Sequence, residues 1–148
     1  NAHRINAGER IPIGKSSRDF LFIKRDDPRA SLKAINEGIE YIRQGFSLVI
    51  FPEGTRSKGP VPGRFHKGSL KLATKPGVPI VPISLNGSYK MFEEKGYLKG
   101  ARIDIIVHEP IETKGLSREE EKELNDRVEK IIVDGVKELQ KLQESAEI

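Results

Sequence analysis

Two short apolar runs on either side of an amphipathic helical pattern constrain the fold more than any other feature of the sequence. Residues 20–23 (Phe-Leu-Phe-Ile) and 47–51 (Ser-Leu-Val-Ile-Phe) have the length and composition of buried strands. Between them, Asp27 and Pro28 are typical of a helix start and Gly45 of a helix end. The apolar residues in between follow helical spacing: Leu32, Ile35, Ile39 and Ile42. The pattern predicts a β-α-β unit, which implies parallel strand pairing and a right-handed crossover.

The middle of the chain is less regular. A loop over residues 52–64, rich in proline and glycine, precedes a short helix predicted over residues 68–74. A third strand is predicted over residues 78–85, where Pro79 and Pro82 remove two backbone donors. Such prolines favour an edge strand or an irregular one.

The C-terminal part of the sequence completes the domain. Alternating apolar residues predict a fourth strand over residues 102–108, and Ser117 with Glu120 forms a capping-box pattern that begins a long helix. The apolar stripe of this helix comprises Leu124, Val128, Ile131, Val136, Leu139 and Leu142. We therefore expect a single α/β domain over residues 1–148, with a mostly parallel mixed sheet flanked by helices.

Composition and charge exclude some classes of site and point to one kind of ligand. The sequence has no cysteine, which excludes disulfides, thiolate metal sites and a cysteine nucleophile. Residues 54–92 carry seven Lys and Arg and no Asp or Glu, whereas residues 117–148 carry ten acidic and six basic residues. A cationic segment of this kind indicates an anionic ligand or surface, although a solvated basic face explains it equally well.

Residues 51–57 (Phe-Pro-Glu-Gly-Thr-Arg-Ser) are the most informative stretch, because an apolar run leads directly into a turn that is rich in polar groups. In an open α/β sheet, ligands bind at the carboxyl ends of strands. Arg56 can contact a phosphate through two N–H groups, Gly54 allows a close backbone approach, and Thr55 can donate a hydrogen bond. Glu53 is better suited to orient Arg56 or to accept from a substrate hydroxyl. The alternative is a tight surface turn with an incidental ion pair.

Residues 51–57 resemble the signature block of the 1-acylglycerol-3-phosphate and glycerol-3-phosphate acyltransferase superfamily. Residues 22–25 (Phe-Ile-Lys-Arg) resemble the family's strand that ends in an arginine contacting the acceptor phosphate, and residues 78–83 (Val-Pro-Ile-Val-Pro-Ile) its proline-containing apolar block. Residues 65–68 (Phe-His-Lys-Gly) resemble the segment between these blocks. The resemblance covers about residues 20–110, leaves residues 1–19 poorly matched, and corresponds to the C-terminal two-thirds of the family's domain. It implies a glycerol-phosphate acyltransferase-like fold.

The resemblance also implies a set of residues that bind the substrate phosphate. Arg25 and Arg56 would contact the glycerol phosphate, and their neighbours in the turn would complete the pocket. Lys67 is a weaker candidate, because a lysine beside a helix N-terminus is also commonly solvated. The full set is Arg25, Glu53, Gly54, Thr55, Arg56 and Lys67.

The family's catalytic His-x-x-x-x-Asp pair is not found in this sequence. In that pair, the histidine takes the proton of the acceptor hydroxyl and the aspartate orients the imidazole. His3, His66 and His108 are followed five positions later by glycine, lysine and threonine respectively. No catalytic residue is therefore identified, and we expect the pair to lie upstream of the matched blocks in a longer parent protein. His66 is the first alternative base, and His108 is expected to be structural.

The function implied by the resemblance is the transfer of a fatty acyl group in phospholipid synthesis. The acyl donor would be acyl-CoA or acyl carrier protein, and the acceptor would be a hydroxyl of a glycerol phosphate or lysophospholipid. No metal or other cofactor is implied. Because substrate and product are lipids, we expect action at a membrane surface, on its cytoplasmic face, with peripheral attachment or an anchor in upstream segments.

Two other functions are compatible with parts of the sequence. The first is a non-catalytic module that binds phosphate or phospholipid and lacks the catalytic pair. The second is nucleic-acid binding, which rests only on the basic segment. Phe65 is the only aromatic residue between Arg56 and Lys75, and interleaved aromatic residues that would stack on bases are missing. We therefore expect no nucleic-acid partner.

Overall fold

The computed structural model of the chain describes residues 28–55, 57, 59–66, 68–91, 96–97 and 100–146. The chain divides into two compact units, residues 1–49 and residues 50–148, and each is considered by itself. The predicted strand over residues 20–23 lies outside the described residues. The prediction of a single domain stays a prediction.

The first unit contains helix α1, Pro28–Arg43, which confirms the predicted helix. Its end is a Schellman motif: the Gly45 N–H donates to the Ile42 carbonyl (3.0 Å) and the Phe46 N–H to the Tyr41 carbonyl (3.1 Å). Gly45 has φ +92°, which a side chain would oppose. The Tyr41 and Phe46 rings meet edge to face, as the apolar contact of this motif requires. Gly45 therefore stops the helix as predicted.

The prediction of a buried strand over residues 47–51 is wrong. These residues belong to no strand, and Val49 and Phe51 are 80% and 78% exposed. A strand forms only by pairing, and apolar composition does not provide a partner. The partner predicted for this segment, residues 20–23, lies outside the described residues.

The sheet seen among the described residues lies in the second unit and is antiparallel. Strands β1 (Ile83–Asn86) and β2 (Asp104–Val107) pair in the register Ile83 with Val107 and Asn86 with Asp104. Beyond β1, Ile80 and Ile111 exchange two backbone hydrogen bonds of 2.9 and 2.8 Å. The ladder is interrupted between these two pairings, in the stretch that contains Pro82, as the prolines predicted. The expected mostly parallel sheet is therefore not supported, because the pairs observed here run antiparallel.

Helix α3, Arg118–Ala146, covers one face of this sheet and confirms the predicted long helix. The capping box is present: the Ser117 N–H donates to Glu120 Oε2 (2.7 Å), and the Glu120 N–H donates to Ser117 Oγ (3.2 Å). Close packing on β1 depends on Gly135, since a Cβ there would lie nearer to Ser84 Oγ than real Cβ atoms approach. A short helix α2, Lys71–Thr74, lies within the region predicted to be helical.

The core of the second unit joins α3 to the loop before α2. Its buried apolar residues are Phe65, Leu70, Ile111, Leu124 and Val128. Along α3, Val136 and Leu139 are also buried, but Leu142 is 57% exposed, contrary to the predicted stripe. Gln143 is buried instead, and its amide donates to Asp104 Oδ2 (2.6 Å). This hydrogen bond is the main reason that the pKa of Asp104 lies below its ordinary value.

The opposite face of the sheet is apolar and exposed. Its exposed residues are Ile83, Leu85, Ile105 and Val107.

Among the described residues, no helix has the length and apolar character needed to cross a membrane.

Candidate functional site

The site predicted from residues 51–57 begins with a tight turn. The Gly54 N–H donates to the Phe51 carbonyl at 2.9 Å. Proline at the second position and glycine at the fourth are residues that type I turns favour. Gly54 has φ +63°, a conformation in which glycine is preferred over residues with a side chain. The local sequence therefore determines this turn.

The Glu53 carboxylate accepts a hydrogen bond from within the loop. Its Oε2 accepts the Gly63 N–H at 2.6 Å, a charge-assisted hydrogen bond across ten residues. The backbone of Gly63 approaches so closely that an added Cβ would lie 3.2 Å from the same oxygen. This contact gives Glu53 a structural role that the sequence did not indicate, beside the two roles predicted for it.

A backbone hydrogen bond closes the base of the loop. The His66 N–H donates to the Pro52 carbonyl at 3.0 Å, so that residues 51–66 form a closed segment, hereafter the site loop. Within it, the Ser57 hydroxyl donates to the Gly59 carbonyl at 3.0 Å. The site loop therefore has internal hydrogen bonds at both its base and its tip.

Two side chains of helix α3 form hydrogen bonds with backbone groups of the site loop. Glu129 Oε2 accepts the Phe65 N–H at 3.2 Å, and the Gln140 side-chain amide donates to the Pro60 carbonyl at 2.6 Å. Phe65 itself is buried in the core next to α3. Sequence reasoning missed both contacts, because 64 and 80 residues separate the partners. No local signal distinguishes Glu129 and Gln140 from the other polar residues of the helix.

Polar groups that a ligand could use remain exposed on the site loop and just after it. Gly54 and Thr55 are exposed, so the Thr55 hydroxyl can donate to a phosphate oxygen. Arg64, Lys71 and Lys75 are exposed as well. The described part of the cationic segment therefore presents positive charge to solvent, a condition that favours an anionic ligand.

The structure describes only some of the predicted phosphate-binding residues. Glu53, Gly54 and Thr55 lie together in the turn of the site loop. Arg25, Arg56 and Lys67 lie outside the described residues. The predicted meeting of the two arginines at one anion site therefore stays a prediction.

Two of the histidines are described, and their settings differ. The His66 side chain is exposed at the base of the site loop. His108 Nε2 lies 2.7 Å from Ser84 Oγ, whose hydroxyl donates to the Ile132 carbonyl at 2.8 Å. Since the single hydroxyl proton goes to Ile132, Ser84 accepts from an Nε2–H of His108. This contact ties β1 and β2 to α3 and agrees with a structural role for His108.

Among the described residues, His, Asp and Glu side chains form no group of three or more that could hold a metal ion.

Comparisons with known proteins agree with the sequence motifs. The profile of the Acyltransferase family matches residues 12–86, which contain the site loop. A chloroplastic 1-acyl-sn-glycerol-3-phosphate acyltransferase of Brassica napus is 41% identical over 91 residues, which cover 60% of this chain and 26% of the relative. A 1-acyl-sn-glycerol-3-phosphate acyltransferase of Borreliella burgdorferi is 34% identical over 114 residues, covering 76% and 46%.

A solved structure shares the fold. The crystal structure of the 1-acyl-sn-glycerophosphate acyltransferase PlsC from Thermotoga maritima superposes with a TM-score of 0.67 at 37% identity. The match covers 74% of this chain and 45% of that one. This chain thus spans less than half the length of these relatives.

Proposed function

The chain belongs to the acyltransferase family, and from that membership we propose that it forms the acceptor-binding part of an enzyme that acylates lysophosphatidate or a glycerol phosphate in phospholipid synthesis. The observation that carries the proposal is the site loop. A turn with a positive-φ glycine carries the exposed Thr55, and the same loop carries the exposed Arg64, inside the region that matches the family.

The acceptor phosphate would be held mainly by charge. Arg56 follows Thr55 directly in the sequence, and a guanidinium can make two parallel hydrogen bonds to one phosphate. Arg25 would supply a second guanidinium, and Lys67 a weaker point charge. Glu53 would not contact the anion, because a carboxylate repels a phosphate; its Oε2 instead accepts the Gly63 N–H within the site loop.

The proposed reaction moves an acyl group from sulfur to oxygen. The acceptor hydroxyl oxygen attacks the thioester carbonyl carbon of acyl-CoA or acyl carrier protein. The new C–O bond forms, the C–S bond breaks, and the hydroxyl proton passes to a base and then to the departing thiolate. Binding of the phosphate places the hydroxyl for this attack, a contribution of orientation rather than of proton transfer.

The enzyme would meet its lipid substrate at a membrane surface, on the cytoplasmic face. The exposed cations next to the site loop would contribute about 1 kcal/mol each near anionic lipid. No metal and no bound cofactor is needed for the proposed chemistry.

A second candidate is a module that binds phosphate or phospholipid without catalysing transfer. Such a module would keep the phosphate pocket without a general base: within residues 1–148, no histidine is followed by aspartate five positions later, and His108 contacts Ser84. The two candidates share the same pocket and differ only in proton transfer.

Binding and transfer assays on the 148-residue chain test the proposal. Calorimetry measures the dissociation constants for glycerol-3-phosphate and lysophosphatidate. A separate assay measures the rate of acyl transfer from acyl-CoA and from acyl carrier protein. We expect binding without transfer, since a missing general base leaves a factor of about 10²–10⁴ unrealised. Transfer at the rate of a full-length family member would reveal a base in this sequence, with His66 the first to substitute. Absence of binding to both ligands would contradict the proposed pocket.

A further inference from the structure

We propose that helix α3 is a brace for the site loop and that Glu129 and Gln140 are positioning residues for acceptor binding. The inference rests on the proposed function of the loop. Neither side chain needs to touch the ligand: each holds a backbone group of the loop, at Phe65 and at Pro60.

The two contacts span the loop along one side of the helix. Glu129 and Gln140 are eleven positions apart, which places them on the same side of α3 and about 16 Å apart along its axis. Pro60 contacts the later helix residue and Phe65 the earlier one, so the segment between them runs beside α3 in the direction opposite to the helix, after a bend at residues 59–61.

The segment between Pro60 and Phe65 is connected to the turn through Gly63. Gly63 lies between the two fixed points, and its N–H is the group that Glu53 accepts. Glu53 lies inside the turn that Gly54 closes, and it directly precedes Gly54 and Thr55. A chain of contacts thus leads from α3 through Gly63 to the proposed phosphate-binding groups.

The brace matters because a loop that is ordered before binding avoids the entropy cost of ordering on binding. Without the contact to Glu129, the buried Phe65 N–H would lack its acceptor, and the loop would have to shift to satisfy it. Loss of either contact should therefore allow the turn to move and lower the affinity for the ligand.

The Glu129 contact is tested with a pair of substitutions. Glu129→Gln keeps an oxygen that can accept the Phe65 N–H, whereas Glu129→Leu removes it. We expect the dissociation constant for glycerol-3-phosphate, measured by calorimetry, to rise about 2- to 10-fold in Glu129→Leu and to stay near wild type in Glu129→Gln. Glu138→Leu, at an exposed position of the same helix, is the matched control. Equal weakening in the leucine variants at 129 and 138 would overturn the role of Glu129.

The Gln140 contact is tested by keeping the shape and removing the donor. Gln140→Glu places an oxygen where the amide donated to Pro60, so we expect the dissociation constant for glycerol-3-phosphate to rise by a similar factor, about 2- to 10-fold. Lys141→Gln changes the net charge by the same amount at the next position and should bind as the wild type does. Equal weakening in both variants would mean that charge, not the hydrogen bond, sets the affinity, which would overturn the role of Gln140.

Amide hydrogen exchange separates the brace from the proposed function. In the ligand-free chain, we expect the Gly63 and Phe65 amides to exchange faster in Glu129→Leu than in Glu129→Gln, with α2 amides unchanged. If wild-type chain fails to bind glycerol-3-phosphate but shows this pattern, the proposed function fails and the brace stands. Unchanged exchange at both amides would overturn the brace, whatever the binding result. Should Glu129→Leu not fold, Gln140→Glu provides the same comparison at Gly63.

Discussion

The backbone conformation of Gly54 restricts which residues can replace it in the site loop. Its φ of +63° costs an alanine about 1–2 kcal/mol, and asparagine tolerates this conformation better. We predict that Gly54→Ala weakens glycerol-3-phosphate binding and lowers the free energy of unfolding, and that Gly54→Asn has a smaller effect on both. Calorimetric titration and thermal unfolding measure the two quantities.

Gly59 provides the control for this substitution. It lies in the same loop, has a φ outside the left-handed region, and has open space where a Cβ would be. Gly59→Ala should therefore leave binding and stability near wild type. If Gly54→Ala were equally harmless, the turn conformation would not matter for the ligand.

Gly135 is constrained by packing rather than by its backbone. Replacing a helical glycine with alanine ordinarily stabilises a helix by about 0.5–1 kcal/mol. At Gly135 the new Cβ would collide with Ser84 Oγ and lie 2.7 Å from His108 Nε2. We predict the opposite sign, a loss of about 1–3 kcal/mol in the free energy of unfolding, measured by denaturant titration.

Adding Ser84→Ala identifies the cause of this loss. Ser84→Ala removes one of the colliding atoms, so the double variant should lose less stability than the sum of the two single variants. A Gly135→Ala chain more stable than wild type would contradict the close approach of α3 to the sheet.

The capping box at the start of α3 makes the stability of this helix depend on pH. Hydrogen bonds from the backbone and then from the side chain of Ser117 hold the pKa of Glu120 below its ordinary 4.5. Because the folded pKa is the lower one, ionised Glu120 stabilises the fold above pH 4.5, and this stabilisation is lost as the pH falls through the folded pKa. We predict that Glu120→Gln reduces the loss of stability in that acid range, measured by unfolding at several pH values.

Two variants show whether the box is responsible. Ser117→Ala should cost about 1 kcal/mol near neutral pH, the usual value of an N-cap. Glu121→Gln removes a carboxylate from the same turn without touching the box, and should leave the pH dependence as in wild type. A change as large in Glu121→Gln as in Glu120→Gln would assign the effect to helix charge in general.

The sequence predicted the helices better than the strands, for a physical reason. The ends of α1 and α3 depend on local residues, Gly45 and the Ser117 capping box, which a sequence displays directly. Residues 47–51 looked like a strand but form none, because pairing depends on a partner elsewhere in the chain. The exposed Leu142 and buried Gln143 show the same limit, since the Asp104 partner of Gln143 is 39 residues away.

The candidate site shows the same difference between local features and contacts between distant residues. The turn at Gly54 and the exposed Thr55 follow from residues 51–57, and the motif resemblance predicted both the family and the acceptor class. The bonds from Glu53 to Gly63 and from α3 to the loop could not be predicted, because they join residues between 10 and 80 positions apart. The local sequence thus predicts the turn, tertiary structure determines how the loop is held, and the set of phosphate-binding residues stays a prediction.

The distribution of charge over the molecule fits an acceptor-binding role. Residues 54–92 have no acidic side chain, while α3 begins with Glu119, Glu120 and Glu121 in its first turn. An anion is therefore attracted to the cationic segment, which contains the site loop except for residues 51–53, and repelled from the start of α3. The acceptor-binding role therefore rests on one proposed property, the binding of the acceptor phosphate by the site loop.

An NMR titration of the 148-residue chain tests that property most directly. Backbone amide shifts are followed while glycerol-3-phosphate is added, with glycerol as the matched ligand that lacks the phosphate. Phosphate binding by the site loop predicts saturable shifts at the amides of Gly54 and Thr55 with glycerol-3-phosphate and none with glycerol. Shifts confined to other parts of the chain, or equal shifts with both ligands, would contradict it.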